Sequence, residues 1–154
     1  MCADLWSFAL STYARPGVEA ACLRLQEQGA DVCLLLCGAW LEQRGVAPDP
    51  QRVQALQQLA RPWQAHVIEP LRRVRVQWRA MAQQDEQLAA LRERVKTLEL
   101  DAERQLLMRL EALTQTWPPD ASSHSPWLEG LATEDAANLD HDALQQLRVV
   151  VTGT

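Results

Sequence analysis

Three arginines at helical spacing are the side chains of this sequence best suited to binding chemistry. Arg72, Arg75 and Arg79 follow Pro70, at which we expect a helix to begin, and intervals of three and four residues place them on one helix face. Guanidinium groups clustered in this way bind phosphates or carboxylates through paired hydrogen bonds. Together with the nearby Arg61, these residues form our predicted partner-binding or anion-binding site.

The arginine cluster has three alternative roles, which the sequence leaves open. It could be a solvated helix face balanced by neighbouring acids, which is the usual role of a charged stripe. It could anchor the chain's own acidic groups, such as Asp31 or the acidic C-terminal end. It could also bind an anion, a nucleotide or a nucleic acid; in a pocket between helices, Asp31 and Glu69 would then be the assisting polar groups.

Cysteine and histidine form the second candidate set. Cys33 and Cys37 are four residues apart, which places them on one helix face, and Cys22 lies on the preceding predicted helix. With His66 they would make four zinc ligands, or Cys37 and His66 would make a nucleophile and its base. The close Cys-x2-Cys spacing of structural zinc sites is missing, and no catalytic motif occurs. We therefore expect core cysteines, no metal, no cofactor and no catalytic residues.

Helices must position these residues, because the composition strongly favours them. Leucine, alanine, glutamine, arginine and glutamate, all strong helix formers, occupy 87 of the 154 positions. Isoleucine, phenylalanine and tyrosine occur once each, so residues that favour strands are scarce. We predict an all-α fold, an irregular bundle of five to seven helices.

One predicted helix is apolar on every face and belongs at the centre of the bundle. Asp31 is a suitable N-cap, and the helix should run over about residues 32–44 and end at Gly45. A helix without a polar face must be surrounded by other helices. Its apolar run is about half the length that a membrane span requires, so we expect no membrane contact and a cytoplasmic location.

One long helix is predicted over about residues 85–117. Its apolar residues recur every three or four positions, which is typical of a heptad-like seam. Glu99 and Glu103 are like charges four residues apart, an unfavourable pair that a partner arginine would relieve. The helix is longer than a small domain needs, so we expect one end to project or to associate with another copy of the chain.

Charge and composition divide the chain into two predicted parts. Residues 1–117 form the helical core domain, and residues 118–154 form a proline- and serine-rich linker followed by a loosely docked acidic tail. Residues 61–109 carry ten bases and seven acids, whereas residues 110–154 carry seven acids and one arginine. The formal net charge of −5 makes nucleic acid an improbable partner for the whole surface.

Several motifs of the N-terminal two thirds occur in an order that is similar to that of a known family. They include Leu5-Trp6-Ser7-Phe8-Ala9-Leu10, Pro16-Gly17-Val18, Gly29-Ala30-Asp31-Val32, Leu34-Leu35-Leu36 and Pro70-Leu71-Arg72. Over about residues 1–115 the chain resembles an uncharacterised, mostly proteobacterial family of small helical proteins with a domain of unknown function. Its relatives tend to have asparagine where this chain has Cys33. The resemblance implies a small helical protein and no reaction.

The absence of catalytic motifs beside an arginine cluster favours a non-enzymatic interaction or adaptor module. Its partner, an unknown protein or a second copy of the chain, would contact the arginine-rich helix face and the long helix. The alternative is a protein or enzyme that binds a small phosphate or carboxylate in a pocket between helices. Nucleic-acid contact is a weaker alternative.

Overall fold

The computed structural model describes residues 4–27, 31–119 and 127, and these residues form helices without any strand. The all-α prediction is therefore confirmed. The helices are α1 (Leu5–Tyr13), α2 (Val18–Glu27), α3 (Val32–Gln43), α4 (Pro50–Trp63), α5 (Glu69–Gln77), α6 (Arg79–Ala82) and α7 (Glu86–Thr114), with a π-helical segment (Gln64–Ile68) between α4 and α5.

Helix α3 lies at the centre of the bundle, as its apolar sequence predicts. Every residue from Cys33 to Leu41 is buried, and α1, α2, α4 and α7 all pack against this helix. Asp31 caps its first turn, accepting a hydrogen bond from the Leu34 N–H at 3.3 Å. The helix has 12 residues, and no helix in the described ranges is long and apolar enough to cross a membrane.

The helix that begins at Pro50 continues past Pro62, and the next helix begins beside Pro70, as predicted. Pro62 lies inside α4, and Pro70 lies in the first turn of α5. The two helices are joined directly by the π-helical segment, in which each backbone hydrogen bond spans five residues instead of four. A proline inside a helix removes one backbone hydrogen bond and crowds the carbonyl four residues earlier, and the wider π-helical turn changes the register between the two prolines. As a result, α5 carries Arg72 towards the interior.

The two halves of α7 have different surroundings, and the predicted apolar seam is fully buried only in the second half. In the second half Ala102, Leu106 and Leu110 are buried in the core, as the seam requires. In the first half Leu91 and Leu98 are 47% and 53% exposed. Helices α5 and α6 pack against α7, and Arg92 in this first half donates to the Arg75 carbonyl of α5.

Most of the predicted linker and tail lies outside the described residues, with Trp127 as the informative exception. Trp127 is fully buried, and its indole N–H donates to the carbonyl of Val46 at 2.6 Å. Its ring stacks on Trp117 with centroids 6.1 Å apart. Trp127 is thus part of the core, at the end of α3 that faces away from Asp31.

Candidate functional site

A cavity of about 450 Å³ opens between the N-terminal helices and the middle of α7. Five helices contribute to it: α1, α2, α3, α5 and α7. Its walls are mostly apolar, and its polar groups include two arginines and four carboxylates, a combination typical of small-molecule sites. The lining includes Trp6, Leu10, Tyr13, Glu19, Cys22, Leu23, Gln26, Asp31, Cys33, Leu36, Arg72, Arg75, Glu99, Leu100 and Glu103.

Three leucines around the cavity are much more exposed than leucine usually is. Leu10 on α1, Leu23 on α2 and Leu100 on α7 are 50%, 46% and 48% exposed. All three line the cavity, so they form an apolar rim contributed by three separate helices. Single exposed leucines are common on protein surfaces, but a group of them around one opening indicates a contact surface.

The Arg72 guanidinium is held by four side chains of the protein itself. Its Nε donates to Glu99 at 3.2 Å, its Nη1 to Glu69 at 3.4 Å, and its Nη2 lies 3.6 Å from Glu103. In the amide orientation that satisfies both polar atoms of Gln26, the Gln26 oxygen accepts from Arg72 Nη2 at 2.6 Å. Each nitrogen of this guanidinium therefore has an internal acceptor.

Arg75 and Arg72 share one buried carboxylate. Arg75 Nε donates to Glu99 Oε1 at 2.6 Å, while the other Glu99 oxygen accepts from Arg72. Glu99 is only 6% exposed, so burying its charge requires this pair of guanidiniums. The backbone carbonyl of Arg75 in turn accepts from Arg92 Nε at 2.9 Å, which ties α5 to α7.

The predicted arginine cluster is divided in the structure. Arg72 and Arg75 line the cavity, whereas Arg79 and Arg61 are exposed and do not line it. Pairing with the chain's own acids was one of the three predicted roles. The acids are Glu69, Glu99 and Glu103 and not the predicted Asp31, which lies in the same cavity but forms no ion pair with a described residue.

Asp31 lies in the cavity wall with its carboxylate largely removed from water. Burial raises the pKa of Asp31 to about 6, and the hydrogen bonds from the Leu34 and Cys33 N–H groups only partly offset this effect. The Arg72 charge lowers the pKa and the Glu69 charge raises it. A desolvated carboxylate with incomplete compensation is a common feature of functional sites.

Glu103 is the second carboxylate whose charge is poorly compensated. Its pKa is raised, mainly by burial and then by repulsion from Glu99, while Arg72 and Arg75 lower it. Arg72 also contacts it at 3.6 Å, which is long for a charged hydrogen bond. Asp31 and Glu103 both raise the pKa of Cys33, so the two carboxylates lie near the same thiol.

The cysteines and His66 do not form the alternative sites that their spacing allowed. Cys22, Cys33 and Cys37 are buried, and burial raises the pKa of each thiol, to about 12 for Cys22. A protonated thiol is a poor nucleophile and a poor metal ligand. His66 is exposed, and no three metal-binding side chains in the described ranges come together.

Sequence reasoning missed several residues of the cavity. Glu99 and Glu103 had a usable signal, because their unfavourable spacing implied a partner arginine, and Arg72 contacts both. Tyr13, Gln26 and the rim leucines had no such signal. They lie on ordinary amphipathic helices, and only the packing angle between helices brings them to one cavity.

A family model described as "Protein of unknown function (DUF2390)" matches residues 4–110 of the chain. No curated protein and no solved structure matches the chain. The matched range contains every residue that lines the cavity, from Trp6 to Leu107.

Proposed function

This chain belongs to the DUF2390 family of proteins of unknown function, and we propose that it binds a small organic molecule in the cavity between α1, α2, α3, α5 and α7. The observation that carries the proposal is the combination of an open cavity of about 450 Å³, an apolar rim and buried charges inside. Drug-sized and metabolite-sized ligands occupy cavities of this size and lining.

The energetics of the interior support this proposal. Asp31 is desolvated without an ion-pair partner among the described residues, and Glu103 has only the 3.6 Å contact to Arg72, which Glu69 and Glu99 also contact. Both carboxylates therefore lower the stability of the empty protein. Apolar residues at both positions would remove this cost if the cavity had only a structural role. Binding of a ligand to these two carboxylates explains why the chain keeps them at this cost in stability.

The adaptor hypothesis stays a prediction with weaker support. Arg72 and Arg75, its central residues, contact the chain's own acids, so a partner would have to break those pairs. Arg79 and Arg61 are exposed, and Leu91 and Leu98 leave an apolar strip on α7. Nothing in the described residues indicates which partner would cover that strip. The net charge of −5 continues to disfavour nucleic acid.

A ligand screen with matched variants tests the proposal. Leu23→Trp places a large side chain at the rim and leaves the core intact, because Leu23 is 46% exposed. Leu91→Trp is the control, since Leu91 is 47% exposed and does not line the cavity. We screen a library of metabolites by thermal unfolding and measure the affinity of each hit by calorimetry.

The expected result is at least one hit whose affinity falls more than tenfold in Leu23→Trp and stays within twofold of the wild type in Leu91→Trp. Hits that bind all three proteins equally would show a site outside the cavity. A library without any hit would likewise count against the proposal.

A further inference from the structure

On the basis of this proposed function, we infer that the ligand is an organic cation: a protonated amine carried on an apolar body. The ammonium group would contact the carboxylates of Asp31 and Glu103, and the hydrocarbon body would contact Trp6 and the rim leucines. This ligand class is the reverse of the phosphate or carboxylate that the arginine spacing first indicates. Three observations on the cavity carry the inference.

The first observation is the balance of charge around the cavity. Four carboxylates line it and only two guanidiniums. Glu19 is exposed, so the three interior carboxylates leave an excess of one negative charge over Arg72 and Arg75 when all are ionised. Arg104, which lies over the Trp6 ring at 5.2 Å from its centroid, does not line the cavity. A low-dielectric cavity with excess negative charge attracts a cation and repels an anion.

The second observation is that the chain's own acceptors already occupy every nitrogen of Arg72 and two of the three nitrogens of Arg75. All three nitrogens of Arg72 already face acceptors on Glu69, Glu99, Glu103 or Gln26. Arg75 donates from both Nε and Nη2 to Glu99. A phosphate or carboxylate ligand that bound Arg72 would have to displace these internal acceptors, and one that bound Nη1 of Arg75 would lie beside the buried Glu99. Such like charges close together are strongly unfavourable.

The third observation is that the two remaining interior carboxylates still have acceptor capacity. Among the described residues, Asp31 accepts only from backbone N–H groups of its own helix, and Glu103 has one long contact, to Arg72. An ionised carboxylate has about four lone-pair sites, and an ammonium group supplies up to three N–H donors. The ammonium would also give Asp31 a counter-charge and Glu103 a second one beside Arg72.

The cavity walls suit the rest of such a ligand. Trp6 and Tyr13 present aromatic rings, which attract cations as well as apolar groups. Leu10, Leu23 and Leu100 offer apolar surface at the rim, where a hydrocarbon body that extends from a buried ammonium would end. An inorganic cation would leave this apolar rim uncovered.

The test uses three probes that share one hydrocarbon body and differ in charge: 2-phenylethylamine, 2-phenylethanol and 3-phenylpropanoate. Calorimetry on the full chain at pH 7.5 gives the affinity of each probe. We expect the amine to bind at least tenfold more tightly than the carboxylate, with the alcohol between them. Equal or tighter binding of the carboxylate would overturn the inference while leaving the cavity as a binding site.

Variants at the two carboxylates locate the cation. Asp31→Asn keeps a helix-capping side chain, since asparagine and aspartate cap equally well, and Glu103→Gln keeps the shape of glutamate. We expect each change to weaken the amine at least fivefold and to leave the alcohol within twofold. Asp49→Asn, a capping aspartate outside the cavity, is the control and should change neither. An unchanged amine affinity in both cavity variants would overturn the inference.

Two variants with opposite charges at one rim position test the charge of the ligand without altering the interior of the cavity. Leu23→Glu and Leu23→Lys remove the same apolar side chain at an exposed position and add opposite charges. The amine should bind more tightly to Leu23→Glu than to Leu23→Lys by about fivefold, and the alcohol should bind the two variants equally. The opposite order for the amine would contradict the inference. If none of the three probes binds the wild type, the inference fails, whereas the proposed function fails only if the metabolite library also gives no hit.

Discussion

The carboxylates that face the cavity and those on the outer surface occupy equivalent places on their helices but have very different surroundings. Asp31 and Asp49 both cap a helix, accepting from Leu34 N–H at 3.3 Å and from Arg52 N–H at 2.9 Å. The Asp49 side chain is half exposed and also contacts the Arg52 guanidinium at 3.5 Å. Asp31 is desolvated in the cavity, and its pKa is raised to about 6.

Two glutamates on α7 show the same contrast. Glu93 pairs with Lys96 at 3.3 Å, and both side chains are well exposed. Glu99 lies less than two turns further along, is buried, and accepts from both Arg72 and Arg75. Exposed pairs contribute little, whereas the removal of one partner from a buried network leaves an uncompensated charge. The difference shows that the burial and the ion pairs of each acid depend on whether it faces the cavity, and not on its spacing from other charges along the helix.

The largest loss of stability should come from replacing Glu99, the buried glutamate of the two on α7. Glu99→Ala leaves two guanidiniums without their shared acceptor, so we expect the free energy of unfolding to fall by about 2–3 kcal/mol, below the full value for a wholly buried pair because both arginines are partly exposed. Glu93→Ala should change it by less than about 0.5 kcal/mol. Urea unfolding monitored by circular dichroism measures both. Equal effects of the two substitutions would remove the distinction between inner and outer acids.

A smaller effect should appear when the charge of Asp31 is removed. Because burial raises the folded-state pKa of Asp31 from 3.8 to about 6, the folded protein binds the proton more tightly than the unfolded chain. The wild type therefore loses stability as pH rises from about 4 to 6, whereas Asp31→Asn does not lose this contribution. We expect Asp31→Asn to match the wild type near pH 4 and to be more stable by about 1–2 kcal/mol at pH 7.5.

The matched substitution at the outer cap sharpens this result. Asp49→Asn removes an exposed charge that contacts Arg52, and asparagine still caps the helix. The difference in unfolding free energy between this variant and the wild type should stay within about 0.5 kcal/mol from pH 5 to 7.5. A gain in stability at pH 7.5 as large as that of Asp31→Asn would show that the cavity has no special influence on Asp31.

The smallest effect should come from Arg79, the exposed member of the predicted arginine cluster. Arg79→Glu should change the free energy of unfolding by less than about 0.5 kcal/mol and leave the affinity for 2-phenylethylamine within twofold. Arg75→Glu, in contrast, places a second carboxylate beside Glu99 and should destabilise the protein clearly. Thermal unfolding and calorimetry on both variants make this comparison.

The sequence was sufficient to predict the elements that depend on local rules. The uniform apolarity of residues 33–41 required a central helix, and Asp31, Asp49 and Asp85 all cap the helices that they precede. The Glu99–Glu103 repulsion also implied a partner arginine, which Arg72 supplies. Each of these signals lies within one or two helix turns.

Features that depend on how helices cross were not predictable. Pro62 lies one residue before the end of α4, and a π-helical segment then joins α4 directly to α5, a connection that no local rule predicts. The cavity arises from the gap between five helices, so the rim leucines looked like ordinary exposed residues in the sequence. The arginine spacing indicated an anion site because the sequence does not show which acceptors surround Arg72. In the structure these acceptors come from α2, from α7 and from its own helix α5.

The indole signals of the tryptophans provide the most direct test of the central claim, that the cavity binds an organic cation. In a ¹H–¹⁵N spectrum, the Trp6 indole reports on the cavity, while Trp63 and Trp127 donate to the carbonyls of Ala102 and Val46 and serve as internal references. On titration with 2-phenylethylamine at constant pH we expect the Trp6 signal to move to saturation and the two references to stay in place. A Trp6 signal that does not move, or that moves equally with 3-phenylpropanoate, would contradict the account.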